Sequence, residues 1–206
     1  MYKSREISLD LIGGEEMRGK KEISFILQYI KKPRTVGAIL PSSRYLANKM
    51  MEDIDFKQAK CIVEYGPGTG VFTEKLLQNR DKNTIIMLFE YNQKFCSLLK
   101  DKFKHEENLF IIHDSSENVD KYLIKYKIDS VDYVVSGLPF ASLPQQVSDE
   151  ILKKTKNILK KDGKFITFQY TLLKVGFIKK YFRYIDFKRE FRNMPPAYVL
   201  NCINCN

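Results

Sequence analysis

From Cys61 onward, the chain alternates between short apolar runs and segments long enough to form helices, and this pattern limits the possible folds most strongly. The five runs are CIVEY, TIIMLFE, LFIIH, VDYVVSG and KFITFQY. Each is nearly continuous in apolar residues, as strands buried on both faces are. The alternation therefore predicts an α/β fold in which helices cover both faces of a sheet of five parallel strands.

The tail beyond these runs, FRYIDFKREFRNMPPAYVLNCINC, has no helical period. Its apolar residues fit two further strands separated by Pro195 and Pro196, because proline interrupts the hydrogen bonding of a strand interior. We expect these two strands to form a hairpin at the edge of the sheet.

The region before the sheet has helical character. The segment KKEISFILQYIKKP carries apolar residues at helical spacing between clusters of lysine, and AILPSSRYLANKMM offers Ser42 or Ser43 as the N-cap of a second helix. We therefore predict two parts: a helical N-terminal extension over residues 1–55 and an α/β domain over residues 56–206.

The positive charge of the protein is confined to one part of the sequence. The net charge is +10, yet residues 1–152 hold 22 basic and 22 acidic side chains, whereas residues 153–192 hold 13 basic and 3 acidic ones. Aromatic residues are interleaved with these lysines and arginines. This composition is typical of a surface that contacts phospholipid headgroups or a nucleic-acid backbone, although a solvated basic face looks the same.

Composition also argues against several classes of protein. With 44% hydrophobic residues, the 206-residue chain can bury one sizeable core, but no apolar run of about twenty residues could span a bilayer. The first ten residues are charged, so we do not expect a secretory signal. Four scattered cysteines favour a cytoplasmic location. Cys202 and Cys205 lack the second pair that a zinc site needs, and we predict no metal site.

The most specific motif is VEYGPGTGVFT, which follows the first apolar run and opens a helical segment. Gly66, Gly68 and Gly70 allow the backbone to turn tightly and approach a ligand at the N-terminus of a helix. A glycine-rich turn alone is weak evidence, because many structural turns look similar.

Acidic residues at successive strands strengthen this interpretation. Glu64 lies in the first predicted strand, Glu90 ends the second and Asp114 follows the third. Each alone would be an ordinary polar residue at a strand end. As a set they line one crevice at the carboxyl edge of the sheet, where a carboxylate can bind ribose hydroxyls and another can accept a hydrogen bond from adenine.

Together these residues resemble a class I S-adenosylmethionine-dependent methyltransferase. The match continues in order to the loop SGLPF at residues 136–140. A nicotinamide-binding dehydrogenase is disfavoured, because it prefers the spacing G-x-G-x-x-G and this chain has G-x-G-x-G. The resemblance implies a Rossmann-like domain over residues 56–206 that binds S-adenosyl-L-methionine and transfers its methyl group.

Two subfamilies of methyltransferase compete. The rRNA adenine dimethyltransferases share the glycine motif and have a tetrapeptide Asn-Leu-Pro-Tyr/Phe. The chain more closely resembles the bacterial phospholipid N-methyltransferases, which methylate phosphatidylethanolamine. The similarity to that family covers three motifs. They are an N-terminal motif, here PRTVGAILPSSR at residues 33–44, the Ser-Gly-Leu-Pro-Phe loop, and a late Pro-Pro-Ala-x-Val, here PPAYV at residues 195–199.

The resemblance implies a role for each residue of the donor site. Glu64 is expected to hold the amino group of the donor's methionine through water, and the turn at residues 66–70 to face its methionine and ribose portions. Glu90 would bind the ribose hydroxyls, and Asp114 the adenine amine. The remaining contacts with the donor are assigned to Tyr91, Ser115 and Ser136.

The resemblance also implies an acceptor site, whose mouth the N-terminal extension over residues 1–55 is expected to cover as a lid that faces the substrate and the membrane. Its catalytic positions are Gly137, Leu138 and Phe140, with the aromatic ring close to the sulfonium of the donor, where a cation–π contact is favourable. Three residues of the N-terminal motif PRTVGAILPSSR are expected to bind the phosphate of a lipid: Ser42, Ser43 and Arg44.

Gly137 stands where an enzyme that modifies a nucleobase normally places Asn, Asp or Ser. The amino group of adenine is weakly nucleophilic, because its lone pair is delocalised into the ring, so a side-chain amide oxygen helps its methylation. A primary alkyl amine needs only orientation, loss of its proton and exclusion of water, which backbone carbonyls can assist. Gly137 therefore favours an alkyl amine, although a tight turn alone would also select glycine.

The sequence thus predicts a peripheral enzyme that methylates a phospholipid amine at the cytoplasmic face of the inner membrane. The lysine-flanked apolar helix before Pro33 is a candidate interfacial anchor, although the same stripe could pack on the sheet domain. The alternatives are an RNA methyltransferase, such as an rRNA adenine N6-methyltransferase, a non-catalytic lipid- or RNA-binding module, and an enzyme acting on a small soluble amine. No feature implies a protein partner.

Overall fold

The computed structural model describes residues 43–172 and 175–205, and within them seven strands form one sheet. The strands are β1 (Cys61–Tyr65), β2 (Ile85–Phe89), β3 (Leu109–Ile112), β4 (Val131–Ser136), β5 (Leu159–Gln169), β6 (Tyr184–Glu190) and β7 (Ala197–Ile203). The helices are α1 (Arg44–Met51), α2 (Val71–Asn79), α3 (Gln93–Lys102), α4 (Val119–Tyr126), α5 (Gln145–Ile158) and α6 (Val175–Ile178), with a 3₁₀ turn over Ser116–Asn118.

The strands lie in the order β3-β2-β1-β4-β5-β7-β6. Strands β1 to β5 are parallel, whereas β7 runs antiparallel to both β5 and β6. The predicted parallel sheet with a hairpin at its edge is therefore confirmed. The order along the chain reverses between β1 and β4, and in open α/β sheets ligands bind at the carboxyl ends of the strands at such a point.

Helices cover both faces of the sheet. On one face, α1, α2 and α3 pack through Leu46, Met50, Phe72, Leu76 and Leu99 against strand residues that include Ile62, Ile86 and Val199. On the other face lie α4 and α5: Tyr122 packs edge-on to Phe89, and Thr155 donates a hydrogen bond to the Tyr65 hydroxyl. Burying each large apolar side chain contributes about 1.5–3 kcal/mol, so the sheet is stabilised from both sides.

Strand β5 begins earlier than the apolar run KFITFQY indicates. Val131 of β4 pairs with Leu159, and Tyr133 then pairs with Lys164, so residues 160–163 bulge out of the register. Asp162 adopts a left-handed conformation (φ 62°) and its N–H donates to the Asn204 carbonyl at 2.8 Å. The polar bulge escapes detection in the sequence because its pairing depends on a residue some forty positions away.

The prediction for the N-terminal extension is only partly covered by the described residues. Ser43 is the N-cap of α1, as expected, and its Oγ accepts the N–H of Leu46 at 3.1 Å. Helix α1 packs on α2 and on the strands of the sheet and belongs to the compact unit of residues 41–206. Ser42 and the lysine-flanked helix before Pro33 lie outside the described residues, so the extension over residues 1–55 remains a prediction.

Candidate active site

The glycine turn lies where β1 ends, at the point where the strand order reverses. Gly66, Gly68 and Gly70 have φ values of 63°, 56° and 84°, which are the left-handed conformation that favours glycine. Gly70 is the N-cap of α2, and its N–H donates to the Pro67 carbonyl at 2.9 Å. A Cβ on Gly68 would meet no heavy atom within 4 Å, so this part of the turn faces open space.

Glu90 connects the glycine turn to the end of β2. One carboxylate oxygen accepts the N–H of Gly68 at 3.0 Å, and the other accepts the N–H of Asn92 at 2.7 Å. The side chain is only 4% exposed, and burial raises the pKa of Glu90 in spite of these two hydrogen bonds. The carboxylate is thus held in one orientation at the edge of the crevice, with lone pairs left for a ligand.

Glu64 is a buried carboxyl group with one free oxygen. Thr73 of α2 donates a hydrogen bond of 2.7 Å to Oε2, whereas Oε1 is buried and has no partner among the described residues. Burial is the main cause that raises the pKa of Glu64 to about 8, and the nearby Glu90 raises it further. A cationic or hydrogen-bond-donating ligand would satisfy the free oxygen and stabilise the ionised carboxylate.

Asp114 follows β3 and is held by three donors. Its Oδ1 accepts the N–H of Ser115 at 2.7 Å and the amide of Asn118 at 2.9 Å, and its Oδ2 accepts the Tyr122 hydroxyl at 2.9 Å. Ser115 Oγ donates to Glu117 at 2.8 Å. Both side chains are therefore oriented by their own loop, and any bond to adenine would use the lone pairs that remain.

Tyr91 and Ser136, the other two predicted donor contacts, lie after β2 and at the end of β4. The Tyr91 carbonyl accepts a hydrogen bond of 3.0 Å from His113 Nε2, which follows β3. Ser136 is fully buried, and its Oγ accepts the N–H of Leu138 at 3.2 Å. The carboxyl edge of the sheet thus brings together all the predicted donor residues, and the role of each remains a prediction.

The acceptor loop after β4 packs directly on the glycine turn. The N–H of Gly137 donates to the Tyr65 carbonyl at 2.9 Å. A Cβ at position 137 would lie 2.8 Å from the carbonyl oxygen of Gly66, and a Cβ on Gly66 would lie 2.8 Å from Leu138 Cδ2. The two loops therefore approach so closely that an asparagine side chain at position 137 has no room in this arrangement.

Phe140 is buried in a cluster of aromatic rings. Its ring is 1% exposed and packs edge-on to Phe165 at 5.8 Å, and Phe165 in turn stacks on Phe182 at 5.5 Å. The cluster fixes the end of the acceptor loop on the face of the sheet that α4 and α5 cover. The expected contact of the Phe140 ring with a sulfonium remains a prediction.

The start of α1 meets the loop between β6 and β7 at the same edge of the sheet. The N–H of Ser43 donates to Asn193 Oδ1 at 3.1 Å, and the Arg192 guanidinium lies 4.4 Å from the centre of the Tyr45 ring. Arg44 is exposed. Two motifs of the predicted resemblance, the end of PRTVGAILPSSR and the start of PPAYV, are thus neighbours, and a lipid phosphate remains a predicted ligand of Ser43 and Arg44.

The family model described as ribosomal RNA adenine dimethylase matches residues 31–188 of the chain. The chain belongs to this family.

Relatives of this chain carry names that refer to two kinds of acceptor. The ornithine lipid N-methyltransferase of Singulisphaera acidiphila is 27% identical over 180 residues, which cover 86% of this chain and 93% of that protein. The ribosomal RNA small subunit methyltransferase A of Mycoplasma capricolum is 31% identical over 129 residues, covering 63% and 46%. The corresponding enzyme of Borreliella burgdorferi is 30% identical over 145 residues, covering 67% and 47%. The chain thus spans less than half the length of these two rRNA methyltransferases.

Solved structures share the fold of this dimethylase family member. A 16S rRNA N2 methyltransferase of T. thermophilus in complex with AdoMet and guanosine has a TM-score of 0.61 at 16% identity, covering 82% of this chain and 44% of that chain. An rRNA methylase of Streptococcus thermophilus has a TM-score of 0.55 at 16% identity, covering 77% and 93%. Family and fold together identify an S-adenosylmethionine-dependent methyltransferase.

The described residues of this methyltransferase fit S-adenosylmethionine. The open side of Gly68 leaves space against the backbone, the unpartnered Glu64 oxygen suits an ammonium group, and Glu90 presents a fixed carboxylate for hydroxyls. Glu64 and Glu90 place two acidic groups beside the glycine turn, which suits a ligand that carries positive charge on sulfur and nitrogen.

Several residues that organise the site escape sequence analysis. Thr73, Asn92 and Tyr122 orient the three predicted carboxylates. Thr73 occurs in the motif VEYGPGTGVFT, and its spacing of nine residues from Glu64 is the one available signal. Asn193 lies 150 residues from Ser43 in the sequence. Its position before the proline pair is the only sequence feature that could have drawn attention to it.

Neither a metal cluster nor a membrane-spanning helix is found in the described residues. Within 43–172 and 175–205, no group of three or more His, Cys, Asp or Glu side chains converges as metal ligands would. The helices of the same residues are too short or too polar to cross a bilayer.

Proposed function

We propose that this methyltransferase acts on the primary amine of a membrane aminolipid, such as phosphatidylethanolamine, as a peripheral enzyme at the cytoplasmic face of the inner membrane. The observation that carries the proposal is the contact between Gly137 and Gly66. The backbone of the acceptor loop lies so close to the glycine turn that no side-chain amide fits at position 137. An alkyl amine can be methylated without such an amide, because its lone pair is not delocalised into a ring.

The chemistry of transfer requires orientation and loss of a proton. When bound, S-adenosylmethionine supplies a methyl group on sulfur, and the deprotonated amine forms the N–C bond as the C–S bond breaks with its electron pair left on sulfur. Carbonyl groups of the acceptor loop can accept hydrogen bonds from the amine and orient its lone pair. The amine loses its proton to solvent before transfer, because the acceptor loop at residues 136–140, SGLPF, has no basic side chain.

The carboxyl edge of the sheet has the composition of a membrane-facing surface. We define the carboxyl-edge surface as four exposed apolar residues at this end of the molecule: Tyr45, Leu172, Phe191 and Met194. Phe191 and Met194, both in the loop between β6 and β7, are 67% and 77% exposed. The exposed Arg44 and Arg189 flank this surface, and Arg189 lies 4.5 Å from the Phe191 ring. Apolar side chains among arginines favour the interface of a bilayer with anionic lipid.

The basic segment 153–192 contributes less to such a surface than its composition indicates. Phe182 is buried, and the Tyr181 hydroxyl is bonded to Asp149, so these two aromatic residues serve the core and not a partner. Lys160 pairs with Asp132 at the amino edge of the sheet, opposite the glycine turn. The charge is therefore divided between the two ends of the sheet.

The second candidate is methylation of adenine in rRNA. It is favoured by the family model and by the relatives that are 30–31% identical. The relative named for a lipid, in contrast, matches over 93% of its own length. An enzyme for rRNA must bring adenine against a loop with no side chain at position 137.

One experiment separates the two candidates. Donor with a labelled methyl group is offered in parallel to phosphatidylethanolamine vesicles, ornithine-lipid vesicles and 16S rRNA, with a reaction that lacks the enzyme as the blank. We expect label in the lipid headgroup and none above the blank in rRNA. Label in rRNA with both kinds of vesicle unlabelled would contradict the proposal.

A further inference from the structure

A cavity of about 250 Å³ lies beside the acceptor loop, and Phe140 is the one residue of its wall to which a role has been assigned above. Its wall consists of Phe140, Leu143, Gln145, Ser148, Phe177 and Lys180. Phe140 and Leu143 come from the loop after β4, and the next two residues from the first turn of α5. Phe177 and Lys180 come from α6 and the residues after it. The cavity therefore adjoins the loop to which the proposed function assigns the amine.

Ser148 contributes a buried hydroxyl group without a hydrogen-bond partner to the wall of this cavity. Its side chain is 1% exposed, and its hydroxyl has no hydrogen-bond partner within the described part of the chain. A buried polar group without a partner costs about 1–3 kcal/mol, so a ligand that accepts its hydrogen bond is stabilised there. The adjacent Asp149 accepts the Tyr181 hydroxyl and does not line the cavity, so the wall contains no carboxylate.

Two positive features accompany this hydroxyl. The Lys180 ammonium lies 5.6 Å from the centre of the Phe177 ring, and none of the ion pairs between described residues includes it. Helix α5 has 14 residues and begins at Gln145, and its N-cap, Pro144, makes no side-chain hydrogen bond to it. Backbone N–H groups of the first turn are thus left for another acceptor, and the helix dipole favours a negative charge at this end.

We propose that this cavity is an oxyanion subsite of the acceptor site. A hydroxyl, an ammonium and a helix N-terminus all donate hydrogen bonds or attract negative charge, and together they select a phosphate or carboxylate. The inference rests on the proposed function and narrows its substrate class: the acceptor carries an oxyanion a short carbon chain away from the amine. The phosphate of phosphatidylethanolamine and the carboxylate of an ornithine lipid both meet this description. The inference places that oxyanion in the cavity, in place of the phosphate contact predicted for Ser43 and Arg44.

The test compares the variants Lys180→Gln and Ser148→Ala with Lys179→Gln, an exposed neighbouring lysine outside the cavity wall. Each is assayed with three acceptors in otherwise identical vesicles: phosphatidylethanolamine, an ornithine lipid, and a long-chain alkylamine that has no oxyanion. We expect Lys180→Gln to raise KM about tenfold for at least one oxyanion lipid, with kcat kept, because a hydrogen bond to a charged group is lost. The lipid with the larger rise identifies the natural oxyanion.

Three controls keep the result specific. The alkylamine should show no change in KM, Lys179→Gln should behave as the wild type, and the affinity for the methyl donor should be the same in all variants. Binding of soluble phosphoethanolamine and of free ornithine, followed by NMR titration, should weaken in Lys180→Gln without any turnover. Ser148→Ala is interpreted after its melting temperature has been compared with that of the wild type, and Lys180 is exposed, so its variant is expected to fold.

Two outcomes overturn the inference in different ways. If the wild type methylates lipids but neither variant changes KM, or if KM rises equally for the alkylamine, the subsite is wrong and the proposed function stands. If the wild type methylates no lipid of any kind, the proposed function fails and the subsite fails with it.

Discussion

The donor half of the sheet, formed by β1, β2 and β3, and the acceptor half, formed by β4 to β7, are built in different ways. In the half predicted to bind the methyl donor, each predicted carboxylate accepts a hydrogen bond from a residue nearby in the sequence, such as Thr73 for Glu64 and Asn92 for Glu90. In the acceptor half the decisive contacts join distant segments, as between Ser43 and Asn193. A site made from local contacts can be recognised in a sequence, whereas a site made from distant ones cannot.

The difference has a chemical reason. One donor molecule imposes one set of requirements, namely a tight turn, a fixed carboxylate and an open backbone, and each is met by a residue type at a strand end. The acceptor side has to match a larger ligand through surface composition and the shape of its cavity. The five predictions below concern the junction of the halves, then the donor half, then the acceptor half.

The largest effect is expected at the junction, in Gly137→Asn. The new Cβ would lie 2.8 Å from the Gly66 carbonyl, so one of the two loops has to move and the geometry of transfer is lost. We expect methylation of lipid to fall by about a hundredfold or more, since a displacement of about 1 Å can cost that much. The measurement is kcat/KM with lipid vesicles. Gly176→Ala, whose Cβ would meet nothing within 4 Å, is the matched control and should remain active. A fully active Gly137→Asn variant would contradict the steric argument.

Within the donor half, Glu90→Ala should weaken binding of the methyl donor by about 10- to 100-fold, because hydrogen bonds to a charged group are lost. Calorimetric titration measures this affinity. Two backbone N–H groups also lose their acceptor, so the melting temperature is recorded alongside. Glu107→Ala, an exposed glutamate elsewhere, should bind as the wild type does. An unchanged affinity in Glu90→Ala would place the donor outside this crevice.

A smaller effect in the same half is expected from pH. Because burial raises the pKa of Glu64 to about 8, the carboxyl group is largely neutral at pH 6 without ligand. The ionised form binds an ammonium better, so donor affinity should rise several-fold between about pH 6 and pH 7.5. Glu64→Gln should show a flat profile over the same range. A flat profile in the wild type would show that Glu64 does not meet the donor's amino group.

The raised pKa of Glu64 also predicts how the stability of the folded protein changes with pH. A raised pKa means that the folded protein holds the proton more tightly than the unfolded chain does. This contribution to the free energy of unfolding is fully present below the ordinary value of 4.5 and is lost as the pH rises through about 8. The melting temperature of Glu64→Gln minus that of the wild type should therefore increase as the pH rises. A difference that stays constant would contradict the raised pKa of Glu64.

An effect on vesicle binding, and not on methyl transfer to a bound lipid, is expected at the carboxyl-edge surface. Replacing Phe191 and Met194 together by serine should reduce association with anionic vesicles about tenfold, since two apolar side chains leave the interface. Sedimentation with vesicles measures the bound fraction. Ile124→Ser removes an equally exposed apolar residue from α4 and should bind as the wild type does. Equal losses in both variants would indicate non-specific adhesion.

Much of the fold could be predicted from the sequence, because strand periodicity and proline act locally. The five runs become β1 to β5, and the proline pair separates β6 from β7. Glu90 accepts the N–H of Gly68 in the glycine turn, and the roles of the three carboxylates remain predictions. The bulge in β5, the aromatic cluster around Phe140 and the cavity at Ser148 could not be predicted, because each depends on which distant segments the sheet order brings together.

The composition of the basic segment was the least reliable guide. Counted along the chain, it suggested one surface with aromatic residues available to a partner. In the fold, Phe182 and Phe165 stack inside the protein, and Lys154 and Lys160 pair with acidic residues on other elements. Charge counted along a sequence therefore overstates the charge that one surface presents.

The central claim, that the acceptor is a lipid amine, is tested most directly by competition in one reaction. Labelled donor is added to vesicles containing phosphatidylethanolamine and an ornithine lipid, mixed with small ribosomal subunits that lack adenine methylation, and the fractions are then separated and counted. We expect the label in lipid headgroups, and much less of it with Glu90→Ala at a limiting concentration of the methyl donor. Label recovered in 16S rRNA, with the lipids unlabelled, would contradict the account.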